Sequence, residues 1–156
     1  MSSLWHVVWA APGAAGFAML FNVRKSALPL VALIAVLALF IATYSRELGL
    51  TVIASDFLAA FVVGAIAYTI GPRLGEASPV YAFAPVIPLV PGSKLANAFI
   101  DSFNTWLTHP GDSVETVRAF TEAATTGLSA SATVAALCLG AISPMLLLPR
   151  ARTAED

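Results

Sequence analysis

Long apolar runs separated by short polar breaks set the pattern of this chain. A helix crossing the hydrocarbon of a bilayer needs about 20 mostly apolar residues. Five stretches come close: 4–23, 28–44, 50–72, 80–107 and 120–148. They predict an all-α integral membrane protein with five transmembrane helices, forming a single transmembrane domain over residues 1–156. In the first run Pro12-Gly13 and Gly16 predict a kink and a close helix contact. Trp5 and Trp9, one turn apart, fit an interfacial anchor. No basic cluster precedes this run, so it reads as a retained span and not as a cleaved signal. The second, Leu28 to Tyr44, carries no charge and reads as a structural helix with much of its surface on lipid. The third contains one acid, Asp56, and its GAIAYTIG half (64–71) is rich in small residues that suit tight packing.

The fourth run departs from the pattern. Pro85, Pro88 and Pro91 recur every third residue and Gly92 follows. Each proline removes a backbone donor and clashes with the preceding turn, so this segment is expected to end or unwind one helix and let another start. Beyond it, Lys94, Asn97, Asp101, Asn104 and Thr108 follow in steps of three and four and share one helix face, with Leu95, Ala96, Phe99, Ile100, Phe103 and Leu107 around the rest. An ionisable side chain at membrane depth costs about 2.5–3.5 kcal/mol on insertion scales, so Lys94, Asp101 and Asp56 should face a bundle interior or a wet cavity.

Two uses of that face stay open. In a structural one, Lys94 pairs with Asp101 or Asp56 and the asparagines join helices. In a functional one, the restarted helix offers backbone N–H groups and a positive dipole end at Gly92, Ser93 and Lys94 to an anionic group. Asn97, Asp101, Asn104 and Asp56 then complete a polar substrate site, with an acid available for an ammonium group or a proton.

Composition narrows the classes. The chain is 58% hydrophobic and only 11% charged, with a mean hydropathy of +0.84, whereas a soluble domain carries about 25% charged residues. A net charge of -1 provides no basic surface for nucleic acid. One cysteine, Cys138, excludes an internal disulfide, and with only His6 and His109 beside it no metal cluster is expected. No nucleotide-binding GxxxxGK[ST] loop occurs, no cofactor is implied, and no Ser/His or paired-Asp arrangement suggests an enzyme. Asn22 fits either a helix cap or the lining of an exit. Tyr44, Tyr68 and Tyr81 read as interfacial belt residues and His109 as a solvated loop residue. Thr125, Thr126, Ser129, Ser131 and Thr133 are expected to bond back to their own helix, in a half-helix whose small residues suit a protein-facing surface. A helix start is expected at Asp112 or Ser113. With five spans, Arg24, Lys25, Arg73, Arg150 and Arg152 share one side and Arg46 and Arg118 the other. The excess of basic residues then places the N-terminus outside and the C-terminus in the cytoplasm, with Pro91 roughly mid-membrane.

The segments GFAMLFNV (16–23), FLAAFVVG (57–64) and above all PVIPLVPGSKLANAF (85–99) resemble the threonine/serine exporter family, in the form of its small membrane-only subunit. The resemblance covers most of the chain, and Pro88-Leu89-Val90-Pro91-Gly92 is its most specific part. It implies secondary export of small polar metabolites across a bacterial inner membrane, driven by the proton motive force. The substrates implied are threonine and serine, or dicarboxylates such as succinate. It also implies a partner, a larger subunit with a soluble region and similar membrane helices; a homo-oligomer is the alternative. A contrasting reading is a membrane scaffold that transports nothing and uses the polar face only to dock a neighbour.

Overall fold

A computed structural model describes residues 8–74, 78–108 and 113–147. Trp5, His6, Glu76, His109, Pro110, Gly111, Asp112, Arg150 and Arg152 lie outside the described residues, and so do the expectations attached to them. The described elements are helices: α1 (Ala10–Leu20), α2 (Leu28–Glu47), α3 (Val52–Ile70), α4 (Ser78–Val86), α5 (Gly92–Thr108) and α6 (Ser113–Leu147), with tight helical turns at Lys25–Ala27, Pro72–Leu74 and Ile87–Leu89. The all-α expectation holds among the described residues; the count of five spans is not reproduced. Three helical segments are long and apolar enough to cross a membrane, Lys25–Glu47, Val52–Leu74 and Val114–Leu147. A fourth exists if the helices on either side of the break before Gly92 count as one span. The expected first span reduces here to the 11 residues of α1, since residues 4–7 are not described.

The chain divides into two compact units. The first unites α1 to α4 with the C-terminal part of α6, from Ala135 on. Its core is built from small side chains at helical spacing. Ala10, Ala14 and Ala18 form the buried stripe of α1, and Val31, Ile34, Ala35, Ala38 and Ala42 that of α2. The opposite side of α2, with Leu33, Leu37, Phe40 and Tyr44, is exposed as a lipid-facing surface requires. Two helix ends close in the same way. The Val23 N–H donates to the Ala18 carbonyl (3.0 Å) and the Asn22 N–H to that of Met19 (3.0 Å), with Asn22 at φ 57°. At the end of α2 the Leu50 N–H reaches the Ser45 carbonyl (3.1 Å) and the Gly49 N–H that of Arg46 (3.0 Å), with Gly49 at φ 92°. This left-handed closure satisfies carbonyls that a helix end would otherwise leave open, so Asn22 is a cap.

The small residues of α3 are required by close approach. A Cβ at Gly64 would lie 2.3 Å from the Ala141 carbonyl oxygen, one at Gly140 would lie 2.5 Å from that of Phe57, and one at Gly71 would lie 2.8 Å from Ser78. The packing expected of the 64–71 half is therefore realised against the end of α6 and the start of α4. Glycines in α1 behave differently. Gly13 and Gly16 are exposed and have no neighbour among the described residues that a Cβ would meet, so the close contact predicted there is not seen among them; the alanines do the packing. At Trp9 the helical pattern is interrupted, and Pro12 and Gly13 lie inside the continuous helix that follows, Ala10–Leu20; Pro12 has no N–H to give the Val8 carbonyl. Tyr81 also departs from expectation. It is fully buried, the bulkiest such side chain among the described residues, and belongs to the core. Tyr44 remains at the surface, 53% exposed and stacked on Phe40.

The second unit, Val90–Val134, is an antiparallel pair made of α5 and the N-terminal half of α6. Ser102, almost fully buried, donates from Oγ both to the Ala98 carbonyl of its own helix (2.7 Å) and to the Ala119 carbonyl of α6 (2.8 Å). Seven residues earlier, Leu95 lies 3.8 Å from where a Cβ on Gly127 would stand. Leu95, Ala98, Ser102 and Thr105 thus form the inner stripe of α5, against Ala119, Ala123, Gly127 and Ala130 of α6.

Candidate functional site

The proline series acts where the spacing predicted. Pro85 occupies the last turn of α4, the chain tightens through Ile87–Leu89, and α5 begins at Gly92. The break is closed locally by the Gly92 N–H, which donates to the Val90 carbonyl across Pro91 (2.8 Å). That bond corrects one expectation, because the Gly92 N–H is spent on the turn and is not available to a ligand. The N–H groups of Ser93 and Lys94, in the first turn of α5, keep the unpaired character of a helix start. The first bond of the new helix is that of Leu95 N–H to the Pro91 carbonyl (3.2 Å).

The polar strip of α5 is present as a strip. Lys94, Asn97, Asp101 and Asn104 are all exposed along one side, next to the inner stripe that meets α6. The hydroxyls among them are tied down: Thr105 donates to the Asp101 carbonyl (2.9 Å) and Thr108 to that of Asn104 (2.8 Å). No ion pair joins Lys94 to Asp101 or Asp56 among the described residues. Two helical turns, about 10.5 Å along the axis, separate Lys94 from Asp101. Among the described residues the strip is therefore not held by an ion pair of its own.

Asp56 belongs to a different arrangement. It lies 1% exposed in the first turns of α3, and its Oδ1 accepts from Nη2 of Arg46, near the end of α2. Thr51 caps the same helix start, its Oγ1 accepting from the Ala54 N–H (3.3 Å). The charge of Asp56 is thus balanced across the α2–α3 turn and not by Lys94. Ser55, beside it, is fully buried.

The structure adds two residues that the spacing did not single out. A groove of about 140 Å³ between α5 and α6 is lined by Ala98, Asp101, Ser102, Thr105, Ala119 and Glu122, so Glu122 brings a second carboxylate beside Asp101. Ser102, the hydrogen-bonded pivot of the pair, was hidden because it sits one position off the polar strip, among residues that read as apolar. Glu122 carried a weak signal, an isolated acid just before a hydroxyl-rich stretch. Those hydroxyls behave as expected: Thr125, Ser129, Ser131 and Thr133 donate to the carbonyls of Glu122, Thr126, Gly127 and Ser129 at 2.9–3.0 Å. No group of His, Cys, Asp and Glu able to hold a metal ion occurs among the described residues.

Comparison with known proteins agrees with the membrane architecture. Residues 6–147 match the family model described as Threonine/Serine exporter, ThrE. An uncharacterised protein of Haemophilus influenzae is 29% identical over 97 residues, which is 62% of this chain but 33% of that protein. The matched region therefore spans about a third of the length of that relative. No solved structure matches.

Proposed function

This chain belongs to the threonine/serine exporter family, a family of transporters, and from that premise we propose that it is a subunit of a secondary exporter of small polar metabolites driven by the proton motive force. Threonine and serine are the first substrates to test and dicarboxylates such as succinate the second. The chain resides in the bacterial inner membrane, N-terminus outside, and works with a larger subunit that has a soluble region, or with further copies of itself. The observation that carries the reading is the strip of Lys94, Asn97, Asp101 and Asn104, which begins at the helix restart after Pro91 and stays exposed along α5.

In the proposed mechanism the substrate carboxylate sits at the first turn of α5, on the N–H groups of Ser93 and Lys94, where the helix dipole favours an anion and the Lys94 ammonium adds a full charge. Asn97 and Asn104 offer amide donors and acceptors, and Asp101 a carboxylate for an ammonium group or a proton. The broken helix around Val90-Pro91-Gly92 supplies the joint for alternating access. Asp56 enters as the counter-ion of Arg46, holding the α2–α3 turn. The test is export from cells carrying Lys94→Ala or Asp101→Asn in place of the native gene and loaded with a threonine- or serine-containing dipeptide. At unchanged membrane abundance, the rate of amino-acid efflux should fall at least about tenfold, the effect of losing roughly 1.4 kcal/mol of interaction. Efflux at the native rate in both variants would remove the strip from the substrate path.

A further inference from the structure

Small side chains bring α3 close to α4 at one level and to the end of α6 at another. Gly71 is pressed against Ser78 where the turn closes, and Gly64 against the Ala141 carbonyl, about two helical turns deeper. Between these contacts the three helices stand apart. They leave a crevice of about 40 Å³ whose buried side is formed by Gly64, Ala67 and Ala82 and whose open side by the exposed Phe83, Ile142 and Met145, with Ser78 at the end nearest the turn. All of these residues belong to the first unit.

Position decides what can fill the crevice. It lies along Val52–Leu74, one of the segments long and apolar enough to cross a membrane, within about 9 Å of the end of α3. No charged side chain lines it, so its open side faces hydrocarbon. At about 10–15 Å³ for each water-sized group, it takes about three or four such groups, which is the end of one hydrocarbon chain. A neighbouring helix, about 10 Å across, would rest on Phe83 and Met145 and leave the space beneath them empty, at a loss of packing contacts. Charge marks the other end. Arg73 stands exposed on the turn Pro72–Leu74, two residues beyond Gly71, at the level where the apolar segment stops. Basic residues in such a place attract the headgroups of anionic lipids. A phospholipid carries both parts in that order, a chain in the hydrocarbon and a phosphate at its edge.

We propose that this crevice is a binding site for an anionic phospholipid of the surrounding bilayer. One acyl chain lies between α4 and the end of α6, against Gly64 and Ala67, and the Arg73 guanidinium holds the phosphate. The bound chain braces α4, the half-helix that ends at Val86, against its two neighbours. Lipid thereby supports the helix that leads into the proline break.

The site is separate from export, and its test measures no transport. In full-length protein carrying Trp5→Phe, Trp9→Phe and Trp106→Phe, one tryptophan is introduced as Phe83→Trp at the crevice or as Leu37→Trp on the exposed side of α2. Each protein is placed in phosphatidylcholine vesicles containing brominated phosphatidylglycerol or brominated phosphatidylcholine, and quenching gives the relative affinity of the two lipids at each position. In the Phe83→Trp protein the anionic lipid should bind about fivefold more tightly, equivalent to about 1 kcal/mol, the size expected for one basic residue near the membrane surface. The Leu37→Trp protein should show no preference, and adding Arg73→Gln should abolish the preference in the Phe83→Trp protein. Equal affinity in the Phe83→Trp protein, the same preference in the Leu37→Trp protein, or a preference that survives Arg73→Gln overturns the proposal. So does a Phe83→Trp protein that neither lipid quenches, because protein and not lipid then fills the crevice. Protein with its native tryptophans gives a second reading. In neutral detergent, phosphatidylglycerol should raise its thermal midpoint more than an equal amount of phosphatidylcholine does, by a difference that Arg73→Gln removes; equal shifts overturn the proposal as well.

Discussion

Arg46 and Asp56 form the most consequential single pair among the described residues, because one member is almost wholly buried and the other is partly open. Removing the arginine takes from a buried carboxylate the ion pair that offsets its burial, a loss of roughly 3 kcal/mol. Arg46→Met should therefore lower the thermal midpoint in detergent markedly. The double variant Arg46→Met/Asp56→Leu should recover most of that loss, since no charge is left behind. A double variant as unstable as the single one would show that the pair acts by shape and not by charge. Sequence revealed Asp56 as an acid needing company but not its company. Arg46 reads as a loop charge counted for topology, and only the left-handed turn at Gly49 brings the two helix ends together.

Among elements, the contact of α3 with the end of α6 is the most sensitive to volume. Gly64 leaves no space for a methyl group beside the Ala141 carbonyl, and overpacking of this kind costs about 1–3 kcal/mol. Gly64→Ala should lower thermal stability by that amount, whereas Gly16→Ala, with nothing near its Cβ, should not, and should help slightly through helix propensity. Equal effects in a melting experiment would deny that backbone approach at Gly64 matters. Both glycines look alike in sequence, as small residues in an apolar helix. Which is a contact depends on the neighbour that the fold supplies, and composition carries no record of that. The broken helix was legible for the opposite reason: proline acts on its own backbone, so Pro85, Pro88 and Pro91 announced the break without help from any partner. The same holds for the polar strip of α5, whose periodicity is local, while Ser102 and Glu122 gained their meaning only when α6 was laid against α5.

For the whole molecule, the membrane character was legible from apolar run length, and the number of crossings was not. Run length treats 80–107 and 120–148 as two spans. In the structure α4 stops at Val86, and much of α5 keeps company with the charged half of α6. Orientation can be tested directly. Alkaline phosphatase, which is active only outside the cytoplasm, should be active when fused after Gly49 and inactive when fused after Lys25, given the basic residues at Arg24 and Lys25. The reverse pattern would invert the proposed topology.

The unbroken course of α6 also has a mechanical side. Pro144, buried inside the last turn, has no N–H to bond the Gly140 carbonyl and leaves a soft point near one end of a stiff rod. Just before that point Gly140 and the Ala141 carbonyl are pressed against α3, so bending there is taken up by the last residues of the helix, 145–147, and not by its packed part.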